Sequence, residues 1–114
     1  MAVQTTSMKN TLATSYAGAA LFAALYTTAP GATAGTEVTG GSPAYARKSI
    51  SWGAAANGVV TATVTFDVPT GVTVVGAGVH SALTAGTYLD GGSVTSQAFA
   101  SQGTYTLTLT YTQT

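Results

Sequence analysis

Val60-Thr61-Ala62-Thr63-Val64-Thr65-Phe66-Asp67-Val68 alternates apolar with polar residues without a break. Successive side chains on a strand point to opposite faces, so this stretch reads as a half-buried antiparallel strand, with Val60, Ala62, Val64, Phe66 and Val68 turned inward. The same signal returns near the C-terminus, where Tyr105, Leu107, Leu109 and Tyr111 alternate with Thr104, Thr106, Thr108, Thr110 and Thr112. Between them, Pro69-Thr70-Gly71 predicts a turn and residues 72–79 a strand thinned by Gly76 and Gly78. Residues 86–89 predict a short strand that stops before Asp90-Gly91-Gly92.

Upstream, Lys48, Ile50 and Trp52 alternate with Arg47, Ser49 and Ser51, predicting a strand that ends at Gly53. Asn57-Gly58 then supplies the positive φ of a tight reversal. Residues 29–44 hold Pro30, Gly31, Gly35, Gly40, Gly41 and Pro43, and are expected to form one long ordered loop.

Residues 1–7 show no period and are read as an arm that lies on a neighbour, with Ser7 as a helix cap. Met8, Leu12, Tyr16 and Ala19 or Ala20 recur at helical spacing, so residues 8–20 are read as an amphipathic helix whose polar face carries Lys9, Asn10 and Ser15. Residues 21–26 suit either a helical extension or a buried strand, the strand being preferred. The fold expected is mainly β: one domain over residues 1–114, with the helix followed by a small antiparallel β-sandwich or barrel over 21–114. The uncharged terminal strand needs a partner strand, from this chain or another subunit.

Composition narrows the function. Only Lys9, Glu37, Arg47, Lys48, Asp67 and Asp90 are charged, 5% of the 114 residues, and the net charge is zero. An ordinary soluble domain is about 25% charged, so the 23 threonines and the serines hydrate the outer faces, or an assembly covers them, a mixture of the two being preferred. Three basic residues cannot neutralise a row of phosphates or bind an anionic membrane, which argues against nucleic acid and membrane as partners. The absence of cysteine removes disulfides, thiolate chemistry and Cys-based zinc sites, and leaves oligomerisation as the usual support for so small a domain.

Lys9, the apolar residues of 12–26 and Ala32-Thr33-Ala34 imitate a secretory signal. Thr14, Ser15, Tyr16 and Gly18 interrupt it, and the run falls short of the ~20 residues of a membrane span. The expectation is a chain made without a signal peptide.

No catalytic, cofactor-binding or metal-binding residue is expected. His80 stands alone, and a histidine hydrogen-bonded at a strand end explains it better than a metal site. Ser81 adjoins it on a strand and so points to the opposite face. Asp67 and Asp90 lie beside proline or glycine, where aspartate serves turns. Gly76-Ala77-Gly78 and Gly40-Gly41 lack the lysine of a phosphate loop. Arg47-Lys48 reads as a solvated face or an intersubunit salt-bridge donor. Trp52 and the six tyrosines, scattered over several elements, suit core packing and subunit contacts, although convergence would make a glycan-binding patch.

Thr27-Thr28-Ala29-Pro30-Gly31, followed by Gly35-Thr36-Glu37-Val38-Thr39-Gly40-Gly41-Ser42-Pro43-Ala44-Tyr45-Ala46-Arg47-Lys48, resembles a family of short proteins of actinobacterial phages and prophages described as phage tail fibre proteins. The resemblance continues in Ile50-Ser51-Trp52-Gly53-Ala54-Ala55, Phe66-Asp67-Val68-Pro69, Gly71-Val72-Thr73, Gln97-Ala98-Phe99 and Gly103-Thr104-Tyr105, covering about residues 8–111. The chain departs from the family at Tyr26-Thr27-Thr28 and at His80-Ser81, which touches any shared ligand site rather than the fold. The resemblance implies a virion structural protein without enzymatic activity or cofactor, tail-associated or fibre-like, with a homotrimer the preferred oligomer and other virion proteins as partners. Two other readings stand beside it: a capsid decoration protein seated on the major capsid protein, and a carbohydrate-binding receptor module using Trp52.

Overall fold

The computed structural model describes residues 2–114. One helix, α1 (Thr6–Ala19), precedes six strands: β1 (Phe22–Tyr26), β2 (Lys48–Ser49), β3 (Val59–Val68), β4 (Val72–His80), β5 (Tyr88–Phe99) and β6 (Gly103–Thr112). They form two antiparallel sheets, one of four strands in the order β2-β1-β4-β5 and one of two, β3-β6.

The β3–β6 pair follows directly from the alternation. Phe66 lies opposite Tyr105, Val64 opposite Leu107 and Ala62 opposite Leu109 on the inner face, while Thr61, Thr63 and Thr65 meet Thr110, Thr108 and Thr106 on the outer face. The outer threonines are exposed and the inner β3 residues buried. The inner face packs on the larger sheet through Ala23 and Leu25 of β1, Val74 and Ala77 of β4, and Phe99 of β5. The result is the expected mainly β fold, a small antiparallel sandwich with one N-terminal helix.

Phe22–Tyr26 is a strand, buried from Ala23 onward and central between β2 and β4. Several boundaries differ from the sequence reading. The helix begins at Thr6, inside the expected arm, and its cap is Thr5, whose hydroxyl accepts from Met8 N–H at 3.2 Å. Its packed face is also rotated: Met8 is 49% exposed, while Ala13 is buried and Asn10 Oδ1 accepts from Gly58 N–H at 2.7 Å. A polar side chain thus turned inward because the turn after Asn57 left a backbone donor to satisfy.

The strand expected over 47–52 is reduced to Lys48–Ser49, paired with β1. Asp90-Gly91-Gly92, read as a turn, lies within β5, opposite Val79, Gly78 and Ala77. Glycine there serves close approach, since a Cβ on Gly91 would stand 2.8 Å from the Ala77 carbonyl. Asn57 and Gly58 do carry positive φ, 52° and 77°.

Candidate functional site

One polar cluster joins the C-terminal half of loop 29–44 to the sandwich. Glu37 forms an isolated bridge with Tyr26, which fixes its backbone beside β1. Its carboxylate receives Arg47 Nη2 on Oε1 at 2.9 Å and Arg47 Nε on Oε2 at 3.0 Å, a two-point fork. Tyr45 Oη donates to the same Oε2 at 2.8 Å and accepts from Leu25 N–H at 3.0 Å. Arg47 Nη1 donates to the carbonyls of Ala82 and Ala85 at 3.1 and 2.9 Å. Segment 37–47 and loop 81–87 thereby meet on one guanidinium, and Tyr45 ties the cluster to β1.

The electrostatics follow from that packing. Burial pushes the Glu37 carboxyl up, but the hydrogen bonds from Arg47 and Tyr45 outweigh it and hold the group below its ordinary value. Glu37 in turn raises Arg47, and burial raises Tyr45. With side-chain exposures of 12% and 25%, Arg47 and Glu37 are an internal brace. This corrects the reading of Arg47 as a solvated face or an intersubunit donor. Lys48 does lie at the surface, 3.9 Å from Asp67.

Above the brace, Glu37, Val38, Tyr45, Arg47, Leu83 and Ala85 line an open groove of about 420 Å³, with Leu83 51% exposed on its rim. Both charged groups at its floor are spent on each other.

His80 ends β4, 4% exposed, and meets the Tyr26 hydroxyl through Nε2. Its Nδ1 has no protein partner. Burial, and then the nearby Arg47, lower its pKa and so favour the neutral imidazole. Burial raises Tyr26 to about 12. Tyr88 closes this cluster edge-on, 5.6 Å from the His80 ring, and gives its hydroxyl hydrogen to the Gly31 carbonyl at 2.7 Å. Ser81 Oγ accepts from Thr87 N–H and serves the loop. Asp67 and Asp90 lie on different sheets, Asp90 accepting from Tyr16 Oη at 2.8 Å. Among the described residues no group of three or more His, Asp and Glu side chains could hold a metal ion.

The aromatic residues are less scattered than the sequence suggested. Tyr16 stacks on Tyr111 at 3.9 Å and meets Trp52 edge-on at 5.9 Å, where helix and sandwich join. Trp52 Nε1–H donates to the Ala20 carbonyl at 2.8 Å. The stacked faces of Tyr16 and Tyr111 are thus occupied by each other. Glu37 is a structural residue that no motif in the sequence marks. Its signal in the sequence is a lone glutamate ten positions before a lone arginine in a nearly uncharged chain.

A family model described as Podophage GP4 fiber I protein gp80 matches residues 4–111. The chain belongs to that family. The gp80 match spans the helix, both sheets and the Glu37–Arg47 brace together. Neither the curated proteins nor the solved structures searched gave a match.

Proposed function

We propose that the chain is a non-enzymatic fibre subunit of a bacteriophage virion, tail-associated, and working as a homo-oligomer with threefold symmetry. The observation that carries this is the gp80 family match over residues 4–111. Two features of the molecule support a structural role. The charged groups are largely paired within the chain, Glu37 with Arg47 inside the fold and Lys48 with Asp67 at its surface. The outer face of β3–β6 is a plain threonine surface. The resemblance of the 27–48 segment points to a phage of actinobacteria as the source.

Cryo-EM of the whole particle tests the reading. Density on a tail fibre that accepts this fold in threefold arrangement is the expected result. Density on the capsid lattice instead would make it a decoration protein, and absence from the particle would overturn the virion reading.

A further inference from the structure

The sandwich is closed along one side and open along the other. On the closed side β2 lies against β3, and Gly53 N–H donates to the Thr61 carbonyl at 2.9 Å, so segment 50–53 covers part of the outer edge of β3. On the open side lie β5 and β6, each an edge strand with a hydrogen-bonded neighbour on one flank only among the described residues. The chain reverses at corner 100–102, and the two edges run antiparallel along a cleft of about 220 Å³. Tyr16, Val79, Asp90, Val94, Leu107 and Leu109 help to line it.

The pairing register shows which backbone groups are left over. The Thr61 carbonyl points away from β6, and Thr61 lies opposite Thr110. An antiparallel pair alternates hydrogen-bonded with non-hydrogen-bonded positions. Thr104, Thr106, Thr108, Thr110 and Thr112 therefore aim their N–H and C=O groups at the free edge. On β5 the Phe99 carbonyl accepts from Gly71 N–H on the β4 side, so its neighbour Ala98 faces outward.

Proteins usually protect such edges with lysine, proline, bulges or a covering segment. β6 has neither charge, proline nor bulge; β5 has one charge, Asp90, tied to Tyr16 at the far end, and two register irregularities, between Ser93 and Gln97 and between Tyr88 and Asp90, which leave its 97–99 end as a regular stretch.

We propose that the open side is the self-association surface, the β5 edge of one copy pairing antiparallel with the β6 edge of the next until the ring closes. The proposal deepens the oligomeric reading above and rests on it. A second copy is the occupant the surface fits. It supplies an edge of similar length to each edge, ten residues on the uncharged β6 against twelve on β5, whose one charge is engaged by Tyr16, and it brings its own half of the apolar cleft.

Ring closure also explains why both edges lie on one side. A ring uses both edges of every subunit and leaves none bare.

Two single-edge variants test it. Thr108→Pro removes a free-edge N–H of β6 and leaves the β3 ladder intact; Ala98→Pro does the same on β5. Each is measured by sedimentation equilibrium, with circular dichroism and thermal melting to verify folding. The wild-type chain is expected at three times its 11.2 kDa. Each variant alone is expected as a monomer, and the two mixed as a 1:1 complex, since one retains β5 and the other β6.

A wild-type oligomer whose single variants still self-associate, or whose mixed variants stay monomeric, overturns this pairing alone. A monomeric wild-type chain overturns the oligomeric reading with it. Should either proline unfold the chain, Leu109→Lys and Val94→Lys replace the pair. A lysine at these half-buried positions reaches water through the open cleft of a single copy but not through a closed ring.

Discussion

Arg47 spends its guanidinium on four hydrogen bonds, two to one carboxylate and two to carbonyls of loop 81–87. Lysine keeps the charge but cannot fork, so Arg47→Lys is expected to lower stability by about 2 kcal/mol, the loss of two or more charge-assisted bonds. Glu37→Gln is expected to cost about as much, because it leaves the guanidinium half-buried and short of its anion. Urea denaturation of the two variants and the double mutant checks this. The double mutant should lose clearly less than the sum of the singles, and simple additivity would show that the pair does not act as a unit.

The same residues set the response to acid. His80 and Glu37 both sit below their ordinary values of 6.5 and 4.5, His80 through burial and Arg47, Glu37 through bonds that outweigh its burial. A group depressed in the folded chain binds fewer protons there than when unfolded, so stability falls as the pH falls. The first loss begins near 6.5 from His80 and a second near 4.5 from Glu37, each limited to about 1.4 kcal/mol per pH unit. Urea midpoints at pH 7.5, 5.5 and 4 should decline in that order, and His80→Gln should remove the upper step. A wild-type midpoint unchanged between pH 7.5 and 5.5 would refute the assignment to His80. None of this brace was legible as a contact in the sequence. Glu37 and Arg47 are linked only by the fold of a loop, which has no period to read.

Elements were legible where burial has a period. β3 and β6 show strict alternation and came out at nearly their full length. β5 did not, because its inward and outward residues fall out of step at the irregularities opposite Val74/Gly76 and Val79/His80, and Gly91-Gly92 imitates a turn. Helix α1 was found but turned, since small alanines allow either face to pack and only the tertiary partner Gly58 decides.

Glycines separate the two kinds of element. A Cβ on Gly78 would stand 2.9 Å from the Asp90 carbonyl and from Tyr26 Cε2, whereas nothing lies within 4 Å of one on Gly18 in α1. Gly78→Ala should therefore destabilise by about 1–3 kcal/mol through overpacking. Gly18→Ala should stabilise by about 0.5–1 kcal/mol through helix propensity and unfolded-state entropy. Opposite shifts of the melting temperature are the expected result, and a harmless Gly78→Ala would contradict the close packing of β1, β4 and β5.

At the scale of the whole molecule the six charges bear on the proposed self-association. Glu37 is spent on Arg47, Lys48 on Asp67, and Asp90 accepts from Tyr16, so the surface offers almost no field to steer or repel another copy. Association through backbone edges and an apolar cleft does not depend on screening, while attraction between exposed charges weakens as the Debye length shortens from about 10 Å at 0.1 M salt to 3 Å at 1 M. The oligomer is therefore expected to keep its mass and its dissociation constant, within about twofold, between 0.05 and 1 M sodium chloride. Sedimentation across that series measures it. Dissociation at high salt would mean that exposed charges hold the subunits, and would direct the search for the contact to Lys9 and Lys48, the two lysines of the chain, and away from the open β5–β6 side.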